Sequence, residues 1–347
     1  MINKKQLKEI REYLEKAQNP VFFFDNDVDG LCSFLLLQRA IGRGKGVAIK
    51  SFPEMHKNYM RKVREFNADY IFILDKPKVS QEFIDEASQT NIPVIWIDHH
   101  NVPLPDLKEV KYYNSYPEGE PVTYIAYKVF ENKKDIWLAM IGCIGDVYLP
   151  EFAEEFAKNY PELFSKEAIN RGAFDALYLT ELGKLVNMLN FGLKDKTTNV
   201  VRLMKLLMQA NSPYDLLQED KKTKQLHKRY EQLNKIYKKI LEKSKRYINP
   251  ISNIIFFTYK SRISMSSEIA NALYFKHKDK LIIVGYKNPD KITFSIRGKE
   301  ADKITSQAIK NIEGASGGGH PTACGAQIPP DKLEEFKQNI NQAIDKL

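Results

Sequence analysis

The sequence is poor in cysteine and tryptophan, with three and two respectively in 347 residues. Cys32, Cys143 and Cys324 are far apart, odd in number and never spaced as a CxxC pair. That excludes a disulfide framework and a zinc knuckle. Each cysteine lies in an apolar or glycine-rich stretch and reads as a small packed residue. Long hydrophobic runs are also missing. The apolar runs are strand-sized, so no membrane span is expected. The segment from Met1 to Gln18 is charged and helix-periodic, without the apolar core of a signal peptide. The expectation is a reducing, cytoplasmic setting.

What is present is an ordinary core-forming fraction and an excess of base. Hydrophobic residues make up 43% of the chain, which argues against wholesale disorder. Lys and Arg number 53 against 44 Asp and Glu, a formal charge of +9. An excess of that sign favours an anionic partner, and nucleic acid is the commonest one. A lysine-rich solvated surface is the plainer reading of the same count.

The first part of the chain alternates helical and strand patterns. Leu7, Ile10 and Leu14 mark a helix face. Val21 to Phe24, Tyr70 to Leu74 and Val94 to Ile97 are continuous apolar runs, and Leu31 to Ile41 is a buried helix. Such runs separated by helices predict a parallel sheet covered on both faces, hence an α/β domain. From Pro121 onward the pattern is mostly helical, including Ile141 to Gly145. Between 221 and 246, Leu226, Tyr230, Leu233, Tyr237 and Ile240 share one helical face. The remainder of that segment is rich in lysine, including Lys235, Lys238 and Lys239. It reads either as a nucleic-acid contact or as a solvated face. After Pro250 the pattern becomes α/β again. Strands are expected over Ile251–Thr258, Leu281–Tyr286 and Ile292–Ile296, and helices over Ser267–Phe275, Asp302–Ile312 and Lys332–Leu347.

The most informative stretch is Asp25-Asn26-Asp27-Val28-Asp29-Gly30. Carboxylates at alternate positions directly after a strand can converge on one side, and Gly30 permits a close turn. Clustered carboxylates repel one another unless a cation lies among them. An EF-hand is excluded, because a strand precedes the motif and the twelfth position from Asp25 is Leu36. Asp75, Asp98-His99-His100 and Asp146 close further apolar runs. The carboxyl ends of strands are where α/β sheets place their sites. Oxygen donors with one or two imidazoles suit Mn²⁺ or Mg²⁺. The donor number suffices for two ions, which clamp the attacking and leaving oxygens of a phosphoryl displacement.

In that order the motifs resemble those of the DHH phosphoesterases, and Gly314-Ala315-Ser316-Gly317-Gly318-Gly319-His320 resembles the GGGH signature of the accompanying DHHA1 domain. The resemblance covers nearly the whole chain. It implies a DHH catalytic domain over 1–195 with a parallel sheet flanked by helices. A helical linker over 196–249 and a smaller α/β DHHA1 substrate-binding domain over 250–347 follow. It further implies two manganese ions, with Mg²⁺ as a possible substitute. Asp27, Asp29, Asp75, His99 and Asp146 would be ligands, Asp75 would bridge, and Asp25 would ligate or position the first ion. Asp98 and His100 would act in catalysis, His100 on the scissile phosphate or leaving group. Arg297, the amides of Gly317, Gly318 and Gly319, and His320 would hold a substrate phosphate, as an anion nest and a guanidinium do.

Pyrophosphatases and many small-substrate members carry a histidine where this chain has Phe23. The Asp-x-Asp-x-Asp-Gly variant is similar to the RecJ and Cdc45-like branch, and the size to compact archaeal RecJ-like nucleases. The implied function is a single-strand exonuclease on DNA or RNA that releases mononucleotides. The alternatives are a short-oligonucleotide RNase or pAp phosphatase, and a Cdc45-like replication or repair factor of weak activity. The complete acid set argues against the last. A helicase or replisome partner is compatible with either nuclease reading, and no membrane partner is expected.

Overall fold

The computed structural model describes residues 2–50 and 54–346. The chain divides into two compact units, residues 1–230 and 231–347, and the division falls within the helix Lys224–Ser244.

In the first unit the strands are β1 (Val21–Asp25), β2 (Lys45–Ile49), β3 (Glu54–Met55), β4 (Ile71–Leu74), β5 (Lys78–Val79), β6 (Val94–Asp98) and β7 (Lys111–Asn114). Five of them form a parallel sheet of order β2-β1-β4-β6-β7, and β3 pairs with β5. The apolar runs split with period two. Phe22, Phe24, Phe72, Leu74, Ile95 and Ile97 enter one core, while Val21, Phe23, Ile71, Ile73, Val94 and Trp96 enter the core on the opposite face. Burial on both faces is why these strands are apolar throughout. Phe24 stacks on Phe34 of the helix Val28–Ile41, with ring centroids 5.2 Å apart.

The run ending in Gly145 is a helix, Ile136–Gly145, as its pattern predicts. The sequence pattern does not announce β2 and β7. Lys45, Gly46, Lys111 and Asn114 interrupt their apolar character, because both strands lie at the sheet edges.

The second unit holds a mixed sheet of β8 (Ile254–Tyr259), β9 (Leu281–Lys287), β10 (Ile292–Arg297), β11 (Ser316–His320) and β12 (Ala323–Ile328). The order is β11-β12-β10-β9-β8, with β8 parallel to β9 and the other pairs antiparallel. Ile283, Phe294, Ile296, Cys324 and Ala326 pack against the helices Ala301–Ile309 and Leu333–Asp345. The helix Ser266–Lys276 packs on β9 and β10 from the other side. The glycine run is the edge strand β11. Glycine is required there for close approach: a Cβ on Gly317 would lie 2.7 Å from the Gly325 carbonyl oxygen, and one on Gly319 2.5 Å from that of Ala323. Among the described residues, no helix is long and apolar enough to cross a membrane.

Candidate metal centre

Register places the acids. Phe24 pairs with Leu74 and Leu74 with Ile97, so the next residues, Asp25, Asp75 and Asp98, form a row along the carboxyl edge of the sheet. Asp75 has a φ of 56°. That left-handed conformation is uncommon but tolerated by Asp. Its N–H still donates to the Ile97 carbonyl at 2.9 Å.

Asp27 and Asp29 leave β1 on the entry to the helix Val28–Ile41. Asp27 is its N-cap and accepts from Gly30 N–H at 3.0 Å. Asp29 is buried and caps a different helix. Its Oδ2 accepts from Val122 N–H at 2.8 Å and its Oδ1 from Thr123 N–H at 2.7 Å, at the start of Val122–Phe130. The N-cap position of that helix is Pro121, which offers no side-chain acceptor, so a carboxylate from a distant segment satisfies its first amides. Each Asp29 oxygen keeps a second lone pair for an ion.

The structure brings the imidazoles to these acids. His99 Nε2 lies 3.2 Å from Asp75 Oδ1, and His99 Nδ1 lies 3.6 Å from Asp146 Oδ2. His100 Nδ1 is 2.8 Å from Asp98 Oδ1 and 3.9 Å from Asp75 Oδ1. Asp98 also accepts from the His100 backbone N–H at 3.3 Å. Donor atoms of Asp29, His99 and Asp146 lie within 4.8 Å of one another, and so do those of Asp75, Asp98 and His100.

The electrostatics call for a cation. Burial, then the charges of Asp25 and Asp29, push the Asp27 carboxyl up to about 7. Burial, then Asp146, does the same to Asp29, against the hydrogen bonds from Thr123 and Val122. Burial and the neighbouring acids drive Asp75 well above the carboxylate range. Asp75 Oδ1 is sealed from solvent and accepts no hydrogen bond among the described residues. A crowd of buried acids with an orphaned oxygen fits divalent cations, and the mixed oxygen and imidazole donors fit Mn²⁺ or Mg²⁺.

His100 differs from His99. For His100, burial is outweighed by the Asp98 charge and hydrogen bond, which hold the imidazolium to about 9. For Asp98, burial is outweighed by the same pairing, which keeps the carboxylate ionised below its ordinary range. Burial lowers His99, so its neutral, ligating form is favoured.

In the second unit, Arg297 and His320 both register with Ala323, from β10 and β11 on either side of β12. Residues directly opposite across a ladder share a face, so Arg297 and His320 flank the small Ala323 on the side of Ser266–Lys276. The Arg297 guanidinium donates to Asn271 Oδ1 at 2.6 Å and to Ser267 Oγ at 3.0 Å. Gly317 to Gly319 pair with β12, so alternate amides face away from the sheet edge.

Sequence reasoning missed Lys76, Asn271 and the pair Val122 and Thr123. Lys76 is fully buried, with Nζ 2.7 Å from Asp25 Oδ1. A lysine directly after a strand-end aspartate was a readable signal. The other residues left none, because their roles depend on contacts distant in sequence.

A carboxylate and imidazole cluster of this kind at the carboxyl edge of an α/β sheet has the donor set of a divalent-metal centre. Residues 21–145 match the DHH family N-terminal domain, and residues 255–346 match the DHHA1 domain. The chain belongs to the DHH/DHHA1 family. Among solved structures it is similar to RecJ of Thermus thermophilus in complex with Mn²⁺, with a TM-score of 0.72, 15% identity, and coverage of 98% of this chain and 55% of that one. It thus spans about half the length of the Thermus protein. A second exonuclease RecJ, bound to manganese, gives a TM-score of 0.65 and 16% identity over 99% of this chain and 95% of that one. The DHH domain of a member of a family of ribosomal proteins gives 0.67 and 16% identity over 99% and 90%. At these identities the likeness establishes a shared fold. No curated protein matches the sequence.

Proposed function

We propose that this chain is a two-metal phosphodiesterase that degrades single-stranded DNA or RNA from an end and releases mononucleotides. One observation carries the reading. The donor groups Asp29, His99, Asp146 and Asp75, Asp98, His100 meet where His99 Nε2 approaches Asp75 Oδ1 at 3.2 Å. Asp27, Asp29, Asp75, His99 and Asp146 would hold the ions, with Asp75 shared between them and Asp25 positioning the first. A bound divalent pair supplies an activated water at neutral pH and charge to neutralise the phosphoryl oxygens.

The chain's own residues do the rest. Asp98 fixes the His100 ring and keeps it protonated, so His100 donates to a phosphoryl or leaving oxygen. The helix start at Val122 and Thr123 clamps Asp29, which fixes one ligand before any ion arrives. In the second unit Arg297, His320 and the outward amides of Gly317 to Gly319 would grip a substrate phosphate. The RecJ relatives that carry manganese share this fold, which supports the reading.

The test is a manganese-supplemented digest of end-labelled DNA and RNA of graded length. Mononucleotide ladders on strands of tens of nucleotides are expected. Turnover confined to fragments of a few nucleotides would replace this reading with a short-oligonucleotide phosphodiesterase. Absence of any turnover would leave only a non-catalytic role of the Cdc45 kind.

A further inference from the structure

We infer that the loop after the helix Glu181–Leu193, together with Lys50, forms a cationic ridge that binds the phosphodiester backbone of a single strand beside the metal centre. The inference rests on the phosphodiesterase reading and adds a length-sensing element to it.

Three successive carbonyls of this loop are each held by a side chain from another element. Asn26, inside the acid motif, donates to the Leu193 carbonyl at 3.4 Å. Arg229 donates to that of Lys194. Lys50 Nζ donates to that of Asp195 at 2.9 Å. Backbone carbonyls held in this way fix a loop that would otherwise be mobile. The Asn26 contact fixes it against the acid motif.

Lys50 arrives by register. Asp25 pairs with Ile49 of β2, so Lys50 stands next to the first residue of the acid motif on the sheet edge. The acids are thereby flanked by cations on the β2 side and by imidazoles on the β6 side. Lys194 and Lys196 flank Asp195 in the chain, and Lys50 reaches its carbonyl from the end of β2. Arg229 Nε lies 3.7 Å from the Asp195 carboxylate.

These cations are not simple counter-charges for the metal acids. Asp25 is already paired with Lys76, and Asp195 with Arg229. An excess of positive charge bordering a phosphate-cleaving centre has a natural ligand in the phosphates flanking the scissile one. A dinucleotide offers too few of them to use it.

The test compares the full-length protein with Lys50→Gln/Lys194→Gln/Lys196→Gln, on a twelve-nucleotide strand and on a dinucleotide, with manganese. The ratio of kcat/KM between long and short substrate should fall tenfold or more. Binding of the labelled strand, measured by anisotropy in EDTA, should lose about 2 from the slope of log K against log salt, since each single-strand phosphate contact contributes about 0.7. Lysine-to-arginine changes at the same positions should restore both. An unchanged ratio with an unchanged slope overturns the ridge. So does an equal loss on both substrates, which would mark a general defect. If the unaltered protein cleaves neither substrate, the phosphodiesterase reading fails. The salt slope still decides whether the ridge binds a strand.

Discussion

Lys76 Nζ sits 2.7 Å from Asp25 Oδ1, with the lysine side chain completely buried and the aspartate 20% exposed. A lysine in such a place needs a permanent anion, because removing an ammonium from water without a partner is costly. Trp96 fixes the same residue from below, its indole N–H donating to the Lys76 carbonyl at 2.9 Å. Asp25 therefore has a resident cation whether or not metal is bound.

Lys76→Met should therefore act in opposite senses on fold and metal. Breaking a buried pair costs ~3–5 kcal/mol, and the partial exposure of Asp25 lowers the expectation to about 2 kcal/mol for the metal-free protein. The centre becomes more negative by one charge, so manganese binds more tightly. Urea unfolding in EDTA and calorimetric titration with Mn²⁺ measure the two effects. Unaltered stability together with unaltered metal affinity would show that Lys76 is a bystander.

The acid cluster makes the metal-free protein sensitive to pH. Asp27 and Asp29 are raised from 3.8 to about 7 in the folded chain, first by burial and then by neighbouring acids. Between those values the native state holds more protons than the unfolded one, so stability falls as pH rises through about 7. His100, held up to about 9 by Asp98 against burial, contributes in the same direction as pH passes that value. Asp98 itself titrates low and matters only in acid. In EDTA the melting temperature should therefore be lower at pH 8 than at pH 5.5. Saturating Mn²⁺ should close the gap by neutralising the carboxylates. A metal-free protein as stable at the higher pH would contradict the crowding of acids.

The row of strand ends was legible because a doubly buried parallel strand must be apolar up to its edge, so the first charged residue marks that edge. Asp25, Asp75 and Asp98 were readable for that reason, and Asp146 because an all-apolar helix ends there. The supports of the site were hidden. Nothing local ties Asp29 to the amides of Val122 and Thr123, about ninety positions away. Ser316–His320 does not read as a strand because glycine lacks β-propensity. It is one because only glycine permits the approach to β12. Gly30 stands out in the sequence for a different reason from the one that applies. It is not at a turn but inside the helix Val28–Ile41, where a Cβ would lie 2.5 Å from the Asp25 carbonyl oxygen and 2.8 Å from its nitrogen.

Gly30→Ala should consequently damage the centre without touching a ligand. The added methyl meets backbone, which cannot rotate away, so Asp25 and the helix start must separate. Overpacking of this kind costs ~1–3 kcal/mol. Manganese affinity should drop at least tenfold, as Asp27 and Asp29 shift relative to Asp75. Thermal melts with and without Mn²⁺ read both numbers. A normal metal-induced rise in melting temperature would show that the site tolerates the displacement.

Asp75→Ala and His100→Gln should fail in different ways. Asp75 approaches both imidazoles, His99 at 3.2 Å and His100 at 3.9 Å, so its loss should abolish both hydrolysis and tight manganese binding while leaving the circular dichroism spectrum intact. His100 is held by Asp98, and loss of one charged donor to a developing oxyanion typically costs ~10²–10³ in kcat. His100→Gln should show that loss while the stoichiometry of Mn²⁺ binding stays at two. Calorimetric stoichiometry and single-turnover rates on a labelled strand distinguish these outcomes. If His100→Gln also lost an ion, His100 would have to be counted as a ligand and the assignment of proton donor withdrawn.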